Sequence, residues 1–158
     1  MENIIVNDEL SFSCPDGFHR LSSEEIGKYN LANDQPGCVL RDEERHIIVS
    51  LAWKQLNPLL ALFLNVRELI GRMAEYVAEA NKDYGYVQGE FFTGSIAQKK
   101  SAGFDYSYRA GETAMDARMI MVRNRRTVYY LYFYFRSQNR QESLAVIEPI
   151  ISSMDWKK

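Results

Sequence analysis

The chain has 158 residues, of which 46% are apolar and 25% charged; this ordinary globular balance excludes a disordered or low-complexity chain and suits a single domain, 1–158, with a substantial core. Nineteen basic against 21 acidic residues leave a net charge of −2, so no global charge drives the chain toward nucleic acid or an anionic membrane. Ten Tyr and eight Phe point to a sheet-rich core, because aromatic side chains fit a pleated, half-buried surface.

In chain order, the start Met1-Glu2-Asn3-Ile4-Ile5 lacks the basic and apolar stretches of a secretory signal. Residues 10–14 alternate as a strand and stop at the turn Pro15-Asp16-Gly17. Ser22 and Glu25 have capping-box spacing, with Leu21 and Ile26 at the staple positions, which predicts a short helix over 22–30. Residues 37–41 and 46–54 read as strands joined by a charged tip, Asp42-Glu43-Glu44-Arg45. The second is apolar on both faces, so it should be covered on both sides.

Asn57-Pro58 suits the start of a helix, predicted over 58–81. Leu59, Phe63, Val66, Ile70, Met73, Val77 and Ala80 recur at three and four as one buried stripe. The longest apolar run free of Tyr, Leu59 to Leu64, is six residues, too short to span a bilayer.

Four extended segments follow near 86–98, 103–110, 115–123 and 127–136. Their connections, at 99–102, 111–113 and 124–125, are too short for parallel crossovers, so the segments are antiparallel hairpins. Asn124 is suited to the positive φ of a tight turn. On the last strand Leu131, Phe133 and Phe135 face one way, and Tyr130, Tyr132 and Tyr134 the other. A final helix begins after Asn139, where Asn139 and Glu142 again have capping-box spacing and Pro149 should kink or shorten it. The expected fold class is α+β: a single antiparallel sheet of about six to seven strands with helices on both faces, an α-β-α sandwich.

This element order resembles the Mog1/PsbP-like fold and the bacterial domains of unknown function grouped with it. The opening Phe12-Ser13-Cys14-Pro15-Asp16-Gly17-Phe18 and the terminal helix carrying Ile150-Ile151-Ser152-Ser153 are similar to features of that family. The resemblance implies a sandwich that works mostly by binding other proteins; known members associate with a small GTPase or a photosynthetic complex.

Catalytic and cofactor signatures are absent from the sequence. It has no phosphate-binding Gly-rich motif, no Cys-x-x-Cys, no His-Glu-x-x-His and no Gly-x-Ser-x-Gly. His19 and His46 are isolated. Cys14 and Cys38 lack metal-site spacing; they read as two reduced, buried thiols or as one disulfide between the first two strands. A Cys14/His19 or Cys38/His46 nucleophile pair has no visible source for a lowered thiol pKa. No cofactor or metal is expected.

One constellation comes from topology. In a four-strand meander alternate turns share one end of the sheet, so Lys99, Lys100, Arg123, Arg125 and Arg126 should gather there, with Glu112 at the other end. Such a rim suits an acidic partner, or serves only to keep turn tips soluble. The tyrosine face of Tyr130, Tyr132 and Tyr134 is either core or an aromatic interface. The expectation is a cytoplasmic, non-enzymatic protein-binding or assembly module, monomeric or weakly dimeric, with a protein partner and neither nucleic acid nor membrane. The alternative is a small-ligand-binding protein or hydrolytic enzyme with a tyrosine-lined pocket.

Overall fold

The alternating segment at 10–14 forms a strand, and it pairs with a partner that the sequence reading leaves unassigned. In the computed structural model, which describes residues 1–27 and 37–157, β1 (Glu2–Val6) and β2 (Leu10–Cys14) form an antiparallel hairpin. Its turn places Asn7 and Asp8 at φ 53° and 50°, which short polar side chains tolerate. After the Pro15-Asp16-Gly17 turn come β3 (Phe18–Arg20) and α1 (Ser23–Ile26). The capping box forms in full: the Glu25 amide donates to the Ser22 hydroxyl at 3.2 Å, and the Ser22 amide donates to the Glu25 carboxylate at 3.0 Å. The remainder of the helix expected over 22–30 falls on residues 28–30, outside the described residues.

β4 (Cys38–Asp42) and β5 (Ile47–Gln55) form the next hairpin. The single helix expected over 58–81 is instead two, α2 (Pro58–Phe63) and α3 (Val66–Ala80). Leu64 turns extended (φ −75°, ψ 125°) and Asn65 opens a second helix, its side chain accepting from the Arg67 amide at 2.9 Å. A second capping Asn eight residues after Asn57 overrides the continuous apolar periodicity.

The meander follows as β6 (Val87–Ile96), β7 (Lys99–Ala110), β8 (Thr113–Asn124) and β9 (Thr127–Arg136). Its first turn is Ala97-Gln98, not 99–102. Both residues take positive φ (46° and 74°), the primed geometry that lets Ile96 pair directly with Lys99. Positive φ in the last turn falls on Arg125 (55°) rather than Asn124, which stays in the ladder opposite Thr127. α4 (Arg140–Ser152) follows a 3-10 turn; Asn139 makes no side-chain cap, so the second capping box does not form. Pro149 lies in the last turn of α4, and the helix runs through it to Ser152. β10 (Asp155–Trp156) closes the described chain against β2.

The large sheet has the order β3-β4-β5-β9-β8-β7-β6, antiparallel at every pairing. Helices lie on both faces, as expected of the α+β sandwich, and the structure adds a small sheet, β1-β2-β10. One face buries Val49, Leu51, Leu131 and Phe133 against that small sheet and α4, through Leu10, Phe12, Ile147 and Ile150. The other buries Phe104, Met119, Tyr132 and Tyr134 under α3, through Val66, Ala74 and Val77. Burial of each large apolar side chain contributes about 1.5–3 kcal/mol. Cys14 and Cys38 are free thiols, both buried in the first of these layers.

Candidate functional site

The carboxyl ends of β5, β6 and β8 and the starts of β7 and β9 lie at one end of the large sheet. α2 begins there, because β5 delivers the chain to Asn57. Asn57 caps α2 by accepting from the Leu60 amide at 2.8 Å, and Pro58 occupies the first helical position. Two arginines then tie this short helix to the β8–β9 turn. Arg126 donates from Nε and Nη2 to the Leu56 carbonyl at 3.1 and 3.0 Å, just ahead of α2. Arg123 donates from Nη1 to the Leu64 carbonyl at 2.8 Å, just behind it, and from Nε to the Arg125 carbonyl at 2.7 Å. Arg67 joins the start of α3 to β6, donating to the Gly94 carbonyl at 2.9 Å.

Held in this way, α2 buries none of its residues. Leu59, Leu60, Leu62 and Phe63 are 68, 53, 77 and 75% exposed. The stripe expected along one long helix therefore fails at Leu59 and Phe63, where the break at Leu64-Asn65 takes α2 off the line of α3, and at Ala80, the exposed last residue of α3. Four neighbouring large apolar side chains in water are an uncompensated cost, the usual mark of a surface that meets something else.

A groove of about 620 Å³ runs between the α2–α3 junction and the turn tips. Leu62, Phe63 and Leu64 line it together with Lys99, Lys100, Arg123 and Arg125; Glu68 is the one acid in its lining. Among the described residues, no carboxylate lies within ion-pair distance of these four cations or of Arg126. Lys99, Lys100 and Arg125 are exposed, and Arg123 is half-buried by its bond to α2. Arg126 is beside the groove rather than in its lining. A second groove, about 430 Å³, lies on the other side of the same turns, lined by Gln98, Lys99, Arg125, Trp156 and Lys157. The Trp156 indole N–H donates to the Ile96 carbonyl at 3.2 Å, and the Lys157 amide donates to the Glu9 carbonyl at 2.7 Å.

The tyrosines sort differently. Tyr132 and Tyr134 are buried beneath α3, with stacked rings 5.9 Å apart, which removes them from any surface a partner could touch. Tyr130 is half-buried at the margin of that layer. The Tyr106 and Tyr134 hydroxyls lie against each other without a well-formed hydrogen bond, and burial pushes both phenols well above their usual range. Burial pushes Tyr108 up to about 12. The tyrosine-lined face is thus filled by protein.

Away from the basic end, Asp105, Asp116, Arg118 and Arg140 form a closed chain of ion pairs. Arg118 binds Asp105 at 2.8 and 3.2 Å; Arg140 bridges Asp105 at 3.2 Å and Asp116 at 2.7 Å. Asp105, Asp116 and Arg140 line a cavity of about 270 Å³ beside β6 with their own charges matched, while Glu90 in the same lining has no ion-pair partner among the described residues. Burial, then Cys38 and Glu2, push the Cys14 thiol up to about 12, and burial also raises Cys38. That is the reverse of an activated nucleophile. Among the described residues no cluster of His, Cys, Asp and Glu could hold a metal ion, and no helix is long and apolar enough to cross a membrane.

Sequence reasoning names the cations of the rim but not its apolar half, nor Gln98, Trp156 and Lys157. The available signal was the run Leu59–Leu64, apolar on every side and bracketed by two capping asparagines.

Neither a family model nor a curated protein sequence matches this chain. Solved structures do. Cyanobacterial PsbP from Synechocystis superposes with a TM-score of 0.71 at 13% identity, over 99% of this chain and 92% of that one. LpqN of Mycobacterium tuberculosis, involved in cell envelope biogenesis, gives 0.64 at 9% identity over 94% of this chain and 83% of its own. Mog1 gives 0.61 at 8% identity over 98% and 94%. At these identities the likeness establishes a Mog1/PsbP-like fold.

Proposed function

We propose that this chain, a Mog1/PsbP-like domain, is a non-catalytic docking module that binds an acidic protein partner at the α2 end of its large sheet. The observation that carries this reading is one juxtaposition: the exposed Leu62 and Phe63 share a groove with Lys99, Lys100, Arg123 and Arg125, whose charges no carboxylate among the described residues meets. An apolar anchor beside unmatched cations is the pairing that gives an interface both affinity and orientation. Arg123 and Arg126 add pre-organisation, because they hold α2 against the turns before anything binds. The absence of catalytic motifs and the committed ion pairs around Asp105 and Asp116 support a binding role over chemistry.

The test is capture of a partner from native lysate, followed by titration of that partner in purified form. Wild type is compared with Leu62→Asp/Phe63→Asp and with Lys99→Glu/Lys100→Glu. All four positions are exposed, so both variants should melt as wild type does while losing the partner by tenfold or more. A partner held equally by both variants would overturn the assignment of this end as the docking surface.

A further inference from the structure

The two grooves at the basic end are not separate. They share Gln98, Lys99 and Arg125, which form a low ridge between them. On one side the floor is apolar, from Leu62 and Phe63. On the other it is the edge of Trp156 with Lys157. Trp156 is held by its bond to the Ile96 carbonyl and by packing against Tyr129, with ring centroids 5.4 Å apart. Lys157 is exposed. The order across the end of the sheet is thus apolar, cationic, then aromatic and cationic. Glu68 and Asp155 are the acids along it, one in each lining.

We propose that the two grooves are one continuous track, and that it takes an extended acidic segment of a partner protein laid across the turn tips. This rests on the docking reading above and adds the form of the ligand. A large apolar side chain near one end of the segment seats against Leu62 and Phe63. Carboxylates in its middle meet Lys99, Lys100 and Arg125. Its far end reaches Trp156 and Lys157. The ridge favours an extended strand over a broad folded surface, because Arg125 lies in one two-residue turn and Lys99 directly follows another, and both side chains line both grooves. An anionic membrane would engage the α2 half alone, since apolar insertion requires Leu59, Leu60, Leu62 and Phe63 and leaves the Trp156 groove without a role.

The experiment uses two labelled synthetic peptides read by fluorescence anisotropy. Both begin with Leu-Phe and continue with Glu and Gly. The short one ends after its central glutamates. The long one, about ten residues and so ~33 Å when extended, carries a further Glu-Trp pair. The proteins are wild type, Lys99→Glu/Arg125→Glu and Lys157→Glu; Trp156→Ala is a fourth, and Lys157→Glu serves where loss of the indole disturbs β10. The expected result is that the long peptide binds wild type at least fivefold tighter than the short one. Lys157→Glu should remove that advantage without touching the short peptide, and Lys99→Glu/Arg125→Glu should weaken both by tenfold or more. If Lys157→Glu leaves the long peptide unaffected while the rim variant loses both, the continuous track is wrong and the docking end stands. If the rim variant loses neither, both readings fall. Binding to phosphatidylserine vesicles in preference to either peptide would also overturn the proposal.

Discussion

The two ends of the four-strand meander are built by the same hairpin rule and finished in opposite ways. At the end carrying Glu112, the β7–β8 turn spends a glycine on its left-handed position (Gly111, φ 63°), and Arg109 donates to the Glu112 carbonyl at 2.7 Å. At the other end the left-handed positions are Ala97, Gln98 and Arg125, none a glycine, although such backbone costs an ordinary side chain about 1 kcal/mol or more. The same contrast holds for charge. The arginines of the Arg118–Asp105–Arg140–Asp116 chain are matched by carboxylates, whereas among the described residues no carboxylate pairs with the cations of the rim. A closed charge cluster fastens α4 to the sheet; an open one leaves its electrostatic work to be done by a second molecule.

The largest effect expected from breaking this contrast is on stability. Asp105→Ala leaves Arg118 and Arg140 without their shared carboxylate. Asp105 and Arg118 remain about a fifth exposed, so the loss should be about 2 kcal/mol, below that of a fully buried pair, and visible as a lower urea midpoint. Partner capture should not change. The reverse pattern is expected of Lys99→Glu/Lys100→Glu/Arg125→Glu: an unchanged urea midpoint and binding weakened tenfold or more, about 1.4 kcal/mol per tenfold. Arg126→Ala removes both bonds to the Leu56 carbonyl and should cost about 1 kcal/mol, with faster amide exchange confined to α2. Smallest is Arg125→Asn, which suits the left-handed backbone better and should gain about 0.5 kcal/mol in stability while weakening partner binding.

Alkaline titration sharpens the picture of the interior. Cys14 rises from 9.0 to about 12 and Tyr108 from 10.0 to about 12 on folding. Folded pKa values above the unfolded ones mean that the folded chain keeps protons the unfolded chain gives up. Stability is therefore complete below pH 9 and declines from pH 9 toward 12. Urea midpoints measured across that range check it, and Cys14→Ala should flatten the early part of the decline. Below pH 9 the native protein should also resist thiol alkylation.

Much of the fold was legible because β5, β8 and β9 carry apolar residues on both faces and the strands from β6 to β9 are joined by two-residue connections, which leave few ways to pair. The first capping box was equally readable, since Ser22 and Glu25 satisfy each other locally. What escaped depended on non-local partners or on single backbone positions. β1 and β10 are short and gain their ladder bonds only by meeting β2. The Asn65 break looks like ordinary helix in a periodicity count. The site was half legible for the same reason: topology alone brings basic turn residues together, but the exposure of α2 follows from where one asparagine restarts a helix. Tyr132 and Tyr134 illustrate the converse, since alternation gives a face but not what covers it.

The Trp156 ring has a practical consequence. The protein contains two tryptophans, and both stand close to Tyr129, with ring centroids 5.4 Å away for Trp156 and 6.3 Å for Trp53. Trp156 forms part of the wall of the second groove and is half open to solvent. Its emission should move to shorter wavelength when a bound segment displaces water from the indole, whereas Trp53 reports on the layer beneath. The chain thus carries its own optical gauge of occupancy, readable without any attached dye, and Trp53→Phe would isolate it.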